Sequence, residues 1–129
     1  MHKQQPSFGD MTRITANSVV NFNRRFGIRA GVDLHKNFAL LAEEVGEVAR
    51  ALNKNDASAA ADELADVLFV TLDALYRLRE PGMEAMNRVV EKNDAKTKLT
   101  HEYDPVSRKI SKRPPKGHIP PGGMYGMDW

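Results

Sequence analysis

Five carboxylates between positions 43 and 66 are the side chains best placed to do chemistry. They form Glu-Glu-x-x-Glu in LLAEEVGEVARAL, with Glu43, Glu44 and Glu47, and Glu-x-x-Asp in DELADVLF, with Glu63 and Asp66. On a helix, Glu43 and Glu47 share a face while Glu44 is offset by about 100°. Glu63 and Asp66, three apart, are also neighbours. If the two helices run antiparallel through a short turn, position 47 comes opposite 63 and four or five carboxylates converge. Two charges ~4 Å apart repel by about 4 kcal/mol at an effective dielectric of 20, so without a cation some of these groups protonate. A divalent cation reverses the sign of that interaction. Hard oxygen donors completed by water suit Mg²⁺ or Mn²⁺, not zinc. The same spacing also occurs on ordinary solvated helices. Here Leu41, Val48, Val67 and Val70 put the acids at the edge of an apolar stripe. Spacing alone leaves both a metal site and a wet acidic face open.

The elements that must hold these acids are helices. A first helix is expected over about 12–26, with Ile14, Val19, Phe22 and Phe26 near helical spacing and Gly27–Gly31 breaking it. Asp33 is placed to cap a second helix over 34–53, whose Phe38, Leu41, Val45, Val48 and Leu52 recur in steps of three and four. Asp56 is placed to cap a third over 57–79, and Pro81–Gly82 ends it; a fourth follows over 82–97. Short connections make neighbours antiparallel, and the wide apolar stripes call for oligomerisation to complete the bundle. Phe22, Phe26 and Phe38 read as core. Asp62 and Asp73 read as outer-face or polar-contact acids. The expected fold is all-α: a helical domain over 1–98 with a mobile leader over 1–11, then an irregular, basic, Pro/Gly-rich tail over 99–129.

Composition narrows the classes. A chain of 129 residues, 41% apolar and 28% charged, fits one soluble domain with a modest core. It contains no cysteine, which excludes disulfides, thiolate metal sites and a cysteine nucleophile, and suits a reducing cytoplasm. No window reaches the ~18–20 apolar residues of a membrane span, and the N-terminal stretch lacks the apolar region of a secretory signal. The net charge of +2 conceals a segregation. Residues 37–97 carry twelve acids against seven Lys/Arg, while residues 1–36 carry two against six and residues 98–129 three against six. An acidic middle between basic ends suits a cation bound with a polyanion, and equally suits a tail kept basic for solubility. Gly122–Gly123 lacks the lysine-serine that would make a P-loop.

The two acidic segments together resemble the MazG-like all-α nucleoside triphosphate pyrophosphohydrolases, whose signature pairs Glu-Glu-x-x-Glu with Glu-x-x-Asp on the next helix. EKNDAKT resembles that family's Asn-x-x-Lys segment, carried here by Asn93 and Lys96. The likeness covers about residues 20–98 and implies a four-helix bundle that hydrolyses a nucleoside triphosphate between its α- and β-phosphates. It implies Mg²⁺, or Mn²⁺, held by Glu44, Glu47, Glu63 and Asp66. Glu43 and Glu47 are the catalytic candidates, Glu43 as a ligand or as the base that orients water. Asn93 and Lys96 would contact metal-bound phosphates. Lys36 and Asn37, beside His35, open the second helix near positions that related enzymes use to hold the nucleotide. A homodimer or homotetramer is implied as well.

Within the superfamily, the dUTPase, dCTP pyrophosphatase and phosphoribosyl-ATP hydrolase activities stay open, because the base and sugar depend on pocket residues that spacing does not place. Lys109, Lys112 and Arg113 could close over the triphosphate on charge grounds alone. The reading from another class is a non-enzymatic helical interaction module. Nucleic acid is not an expected partner, because the basic tail holds few aromatics, Tyr103, Tyr125 and Trp129.

Overall fold

The computed structural model describes residues 4–114. It contains four helices, α1 (Phe8–Arg25), α2 (Leu34–Asn53), α3 (Ala57–Arg77) and α4 (Glu80–Asp94). Two short strands follow, β1 (His101–Asp104) and β2 (Lys109–Lys112), paired antiparallel with His101 opposite Lys112 and Tyr103 opposite Ile110. The all-α expectation holds, with the hairpin as the one addition. The described residues form two compact units that divide between Asn87 and Arg88. None of the described helices is long and apolar enough to cross a membrane.

In the first unit, α2 and α3 pack along their length and α1 packs on α3. The α2–α3 connection is a tight turn: Asn55 takes a left-handed φ of 56° and the Asp56 side chain accepts the Ala59 N–H at 2.9 Å. That cap satisfies one of the free donors at the start of α3. Asp33, the residue before α2, behaves differently. Its φ is 58° and its side chain makes no capping bond, so α2 begins without the expected side-chain cap. The α1–α2 loop turns through Gly27 and Gly31, both at positive φ, where a side chain would be strained. α4 folds back on α3 so closely that a Cβ at Gly82 would run into the Leu75 backbone. Pro81 sits in the first turn of α4, where its missing N–H has no partner to lose.

A buried polar network ties α1, α2 and α3 together. Asp73 Oδ1 accepts from Asn23 Nδ2 at 2.7 Å and from Arg77 Nε at 3.2 Å; Oδ2 accepts from Arg77 Nη2 at 3.0 Å and Asn37 Nδ2 at 3.4 Å. Arg77 Nη1 also donates to the Val32 carbonyl at 3.1 Å, holding the α1–α2 loop. All four side chains are buried, so Asp73 is an interior polar contact and not an outer-face acid.

The apolar core is small: Val19, Ala51 and Ala60 are its buried members. Two expected core aromatics are not core, since Phe26 is 63% and Phe38 71% exposed, while Phe22 is half-buried and edge-on to Phe69. Val45 and Leu52 on α2, and Leu64 and Leu68 on α3, are exposed too. Ala51 of α2 and Ala60 of α3 are buried, while these larger apolar side chains stay exposed among the described residues.

Other boundaries differ from expectation: α3 ends at Arg77 rather than 79, and α4 runs over Glu80–Asp94 rather than 82–97, with Pro81 inside it. α1 starts at Phe8, inside the stretch read as leader, because Ser7 and Asp10 form a capping box: Ser7 Oγ accepts from Asp10 N at 3.0 Å and Ser7 N donates to Asp10 at 3.4 Å. In the second unit the expected irregular tail contains the hairpin. Its turn closes on Asp104, whose side chain accepts the Val106 N–H at 2.9 Å while Arg108 takes a φ of 59°. Arg113 binds it to the preceding segment, donating to the Lys98 carbonyl at 2.6 Å and pairing with Glu102 at 3.5 Å. The Pro120–Pro121, Gly122–Gly123 and MYGMDW stretches lie outside the described residues.

Candidate metal centre

The helical period and the turn at Asn55–Asp56 set the acids of α2 against those of α3. One carboxylate oxygen from each of Glu44, Glu63 and Asp66 lies within 4.8 Å of the other two. Glu44 and Glu63 are half-buried and Asp66 is exposed, so the group opens to solvent on the Asp66 side. Glu47 comes opposite Glu63 within hydrogen-bonding reach. That contact, with partial burial and then Glu44 added, pushes the Glu63 carboxyl up to about 7. The cause is that neighbouring carboxyls disfavour a further negative charge on Glu63. Glu43 is exposed and lies outside the three-residue group.

Whether these residues fit a divalent cation rests on their free oxygens. Glu44 Oε2 and Glu63 Oε2 are shut off from solvent and have no hydrogen-bond partner. An enclosed carboxylate oxygen without a donor is unfavourable, and a hard cation is the ligand that satisfies several at once. The donor set is all oxygen, which suits magnesium or manganese. Glu44, Glu63 and Asp66 fit such an ion, with Glu47 adjoining through Glu63.

The buried network keeps this geometry. Asn37 and Glu44 are seven apart on α2, and Asp66 and Asp73 are seven apart on α3. Two turns, about 10 Å of helix rise, therefore separate network from acids on both helices, on matching faces. The Asp56 turn fixes the other end. The acids are thus held between two clamps. Sequence reasoning missed Asn23 and Arg77. The four-residue spacing of Asp73 and Arg77 marks an ion pair, but burial of that pair has no sequence signature.

The other expected site residues are placed as follows. Lys36 is exposed, while Asn37 is buried with its amide on Asp73. In the second unit, Lys96 Nζ donates to Asn93 Oδ1 at 2.9 Å, and both line a cavity of about 490 Å³ with Lys98, His101, Tyr103 and Ile110. Arg113 is engaged in holding the hairpin.

A model of the MazG nucleotide pyrophosphohydrolase domain matches residues 33–103, which run from the start of α2 into β1 and include all five acids. Neither the curated proteins nor the solved structures compared with the chain gave a match. The match covers more than half of the chain, and the chain belongs to the MazG nucleotide pyrophosphohydrolase family.

Proposed function

We propose that the protein hydrolyses a nucleoside triphosphate between its α- and β-phosphates, releasing the monophosphate and pyrophosphate, with Mg²⁺ or Mn²⁺ as cofactor. The observation that carries this is the convergence of Glu44, Glu63 and Asp66 with two enclosed, unpartnered oxygens, in a chain of this family.

Glu44, Glu47, Glu63 and Asp66 would hold the metal. When bound, a divalent cation supplies neutralisation of phosphate charge and makes nearby water more acidic. The rest falls to the chain's own groups. Glu47 stands across from Glu63, beside the acids that would hold the ion, and is placed to accept a proton from water. Glu43, exposed beside Glu44, serves to orient that water. Water adds across the α–β anhydride: one oxygen–phosphorus bond forms, the bridging bond breaks, and a proton leaves with the base. Asn93 and Lys96 offer an amide and a point charge to phosphate oxygens. Lys36 offers an exposed cation at the head of α2, and Asn37 acts there by fixing α2 against α3.

The exposed stripe of Phe38, Val45 and Leu52, seven apart on α2, with Leu64 and Leu68 on α3, supports a homodimer or homotetramer in which a second copy covers it. A nucleotide substrate places the protein with the nucleotide pool of the cytoplasm.

The test is product analysis over a panel of ribo-, deoxyribo- and oxidised nucleoside triphosphates, dUTP and dCTP among them, with Mg²⁺ or Mn²⁺. The expected outcome is equal amounts of monophosphate and pyrophosphate from at least one member, lost on Glu47→Gln. No pyrophosphate from any member, with wild type and variant equally inert, would overturn the assignment.

A further inference from the structure

The groove that carries the acids continues towards the α2–α3 turn and changes character. Past Glu47 and Glu63 its floor is alanine, Ala51 and Ala59, and its far wall carries Arg50 and Lys54. The resulting cavity is about 270 Å³. Alanine leaves room there and offers no group that competes for a polar ligand.

Its charges are unevenly committed. Asp56, also on the wall, has its Oδ1 held by the Ala59 N–H as the α3 cap. Arg50 lies 3.6 Å from Glu47 Oε1, too long for a hydrogen bond, and its side chain is two-thirds exposed. The Lys54 side chain is exposed and has no hydrogen bond or ion pair among the described residues, its backbone N–H alone donating to the Arg50 carbonyl at 3.1 Å. Lys54 therefore stands uncommitted two turns beyond Glu47, about 10 Å along α2, and Arg50, one turn beyond at about 4.5 Å, is held only by its exposed ion pair with Glu47. An anion reaching from the acids towards the turn would meet them in succession. Arg50 can grip two phosphate oxygens at once, and Lys54 adds a point charge.

We infer that Arg50 and Lys54 form the subsite for the terminal diphosphate of the substrate, the part released as pyrophosphate. The inference rests on the pyrophosphohydrolase reading and adds a direction to it: the triphosphate lies along the α2–α3 groove with its distal end at the turn. Both are positioning residues that hold the departing diphosphate.

The test compares wild type with Arg50→Gln/Lys54→Gln and with the charge-preserving Arg50→Lys/Lys54→Arg, using the whole chain. Inorganic pyrophosphate is titrated calorimetrically in Mg²⁺, with orthophosphate as the weaker control. The glutamine variant should bind pyrophosphate at least about tenfold more weakly, since charged hydrogen bonds are lost. The charge-preserving variant should stay within about threefold, because an ammonium retains the charge but not the fork. The magnesium-dependent rise in melting temperature should be equal in all three, which shows that the fold and the acids are intact. With the nucleotide hydrolysed by wild type, KM should rise more than kcat falls. A wild type that hydrolyses nucleotides, but whose pyrophosphate affinity the glutamine variant leaves unchanged, overturns the subsite and leaves the reaction standing. A wild type that releases no pyrophosphate from any nucleotide overturns the reaction, and the subsite with it.

Discussion

Glu63 of α3 faces Glu47 of α2 across the groove closely enough for one carboxyl to hydrogen bond the other, and Glu63 is pushed up to about 7 in consequence. An acid of one helix thereby favours the protonated form of an acid on the next. The chain pays for this arrangement in stability when no cation is bound.

The sign of that effect is testable by pH. Between the ordinary carboxyl value of 4.5 and about 7, the folded protein holds a proton at Glu63 that the unfolded chain has released. Metal-free stability should therefore be highest below 4.5 and fall as pH rises through this window. Asp10 and Asp104, both held below 3.8 by hydrogen bonds, stabilise the fold above that value and lose this effect only at lower pH. Melting curves at pH 5 and pH 7.5 without metal should show the higher midpoint at pH 5. Glu63→Gln should flatten the difference, and an unchanged difference would contradict the pairing.

The close approach of α4 to α3 gives a prediction against helix propensity. Gly82→Ala would favour an isolated helix by about 0.5–1 kcal/mol. Here the new methyl meets the Leu75 backbone, which cannot swing aside. A net loss of about 1–3 kcal/mol is expected in urea unfolding, as for other overpacked sites. A stabilised variant would mean that α4 does not lie against Leu75.

The buried pair Asp73–Arg77 should be costly to break singly. Asp73→Asn leaves the Arg77 guanidinium buried without its counter-charge, for a loss of about 3–5 kcal/mol. Asp73→Leu/Arg77→Met removes both charges and should lose less than Asp73→Asn alone. Because the network clamps α2 against α3, Asp73→Asn should also weaken metal binding, although it lies two turns from the acids.

The acids were legible in the sequence because the helical repeat alone puts Glu44 near Glu47 and Glu63 near Asp66. The short turn with Asp56 then dictates which face meets which. α2 was legible for the same reason, with both ends as expected, and α3 proved two residues shorter at Arg77. Three features were not. The start of α1 depends on Ser7 and Asp10 recognising each other through backbone donors, a local bond hidden between Pro6 and Gly9. The hairpin has strands of only four residues around Pro105, too short for alternation to register. The core was misjudged because periodicity says which residues share a face and not what covers it. Phe38, Val45 and Leu52 share a face that no part of the described chain buries. Burial of Asn23, Asp73 and Arg77 likewise depends on three helices meeting, which no single segment encodes.

The central claim, that the acids of α2 and α3 form a divalent-cation site, is tested most directly by calorimetric titration of the metal-free protein with Mn²⁺ at pH 7. The account predicts saturable binding with release of protons, measured in buffers of different ionisation enthalpy, because Glu63 holds its proton well above its ordinary range and the ion displaces it. Glu44→Ala and Asp66→Ala should each abolish that binding while the fold persists. A wild type that takes up no Mn²⁺ to millimolar concentration, or that binds it equally well without Glu44 and Asp66, would contradict the account.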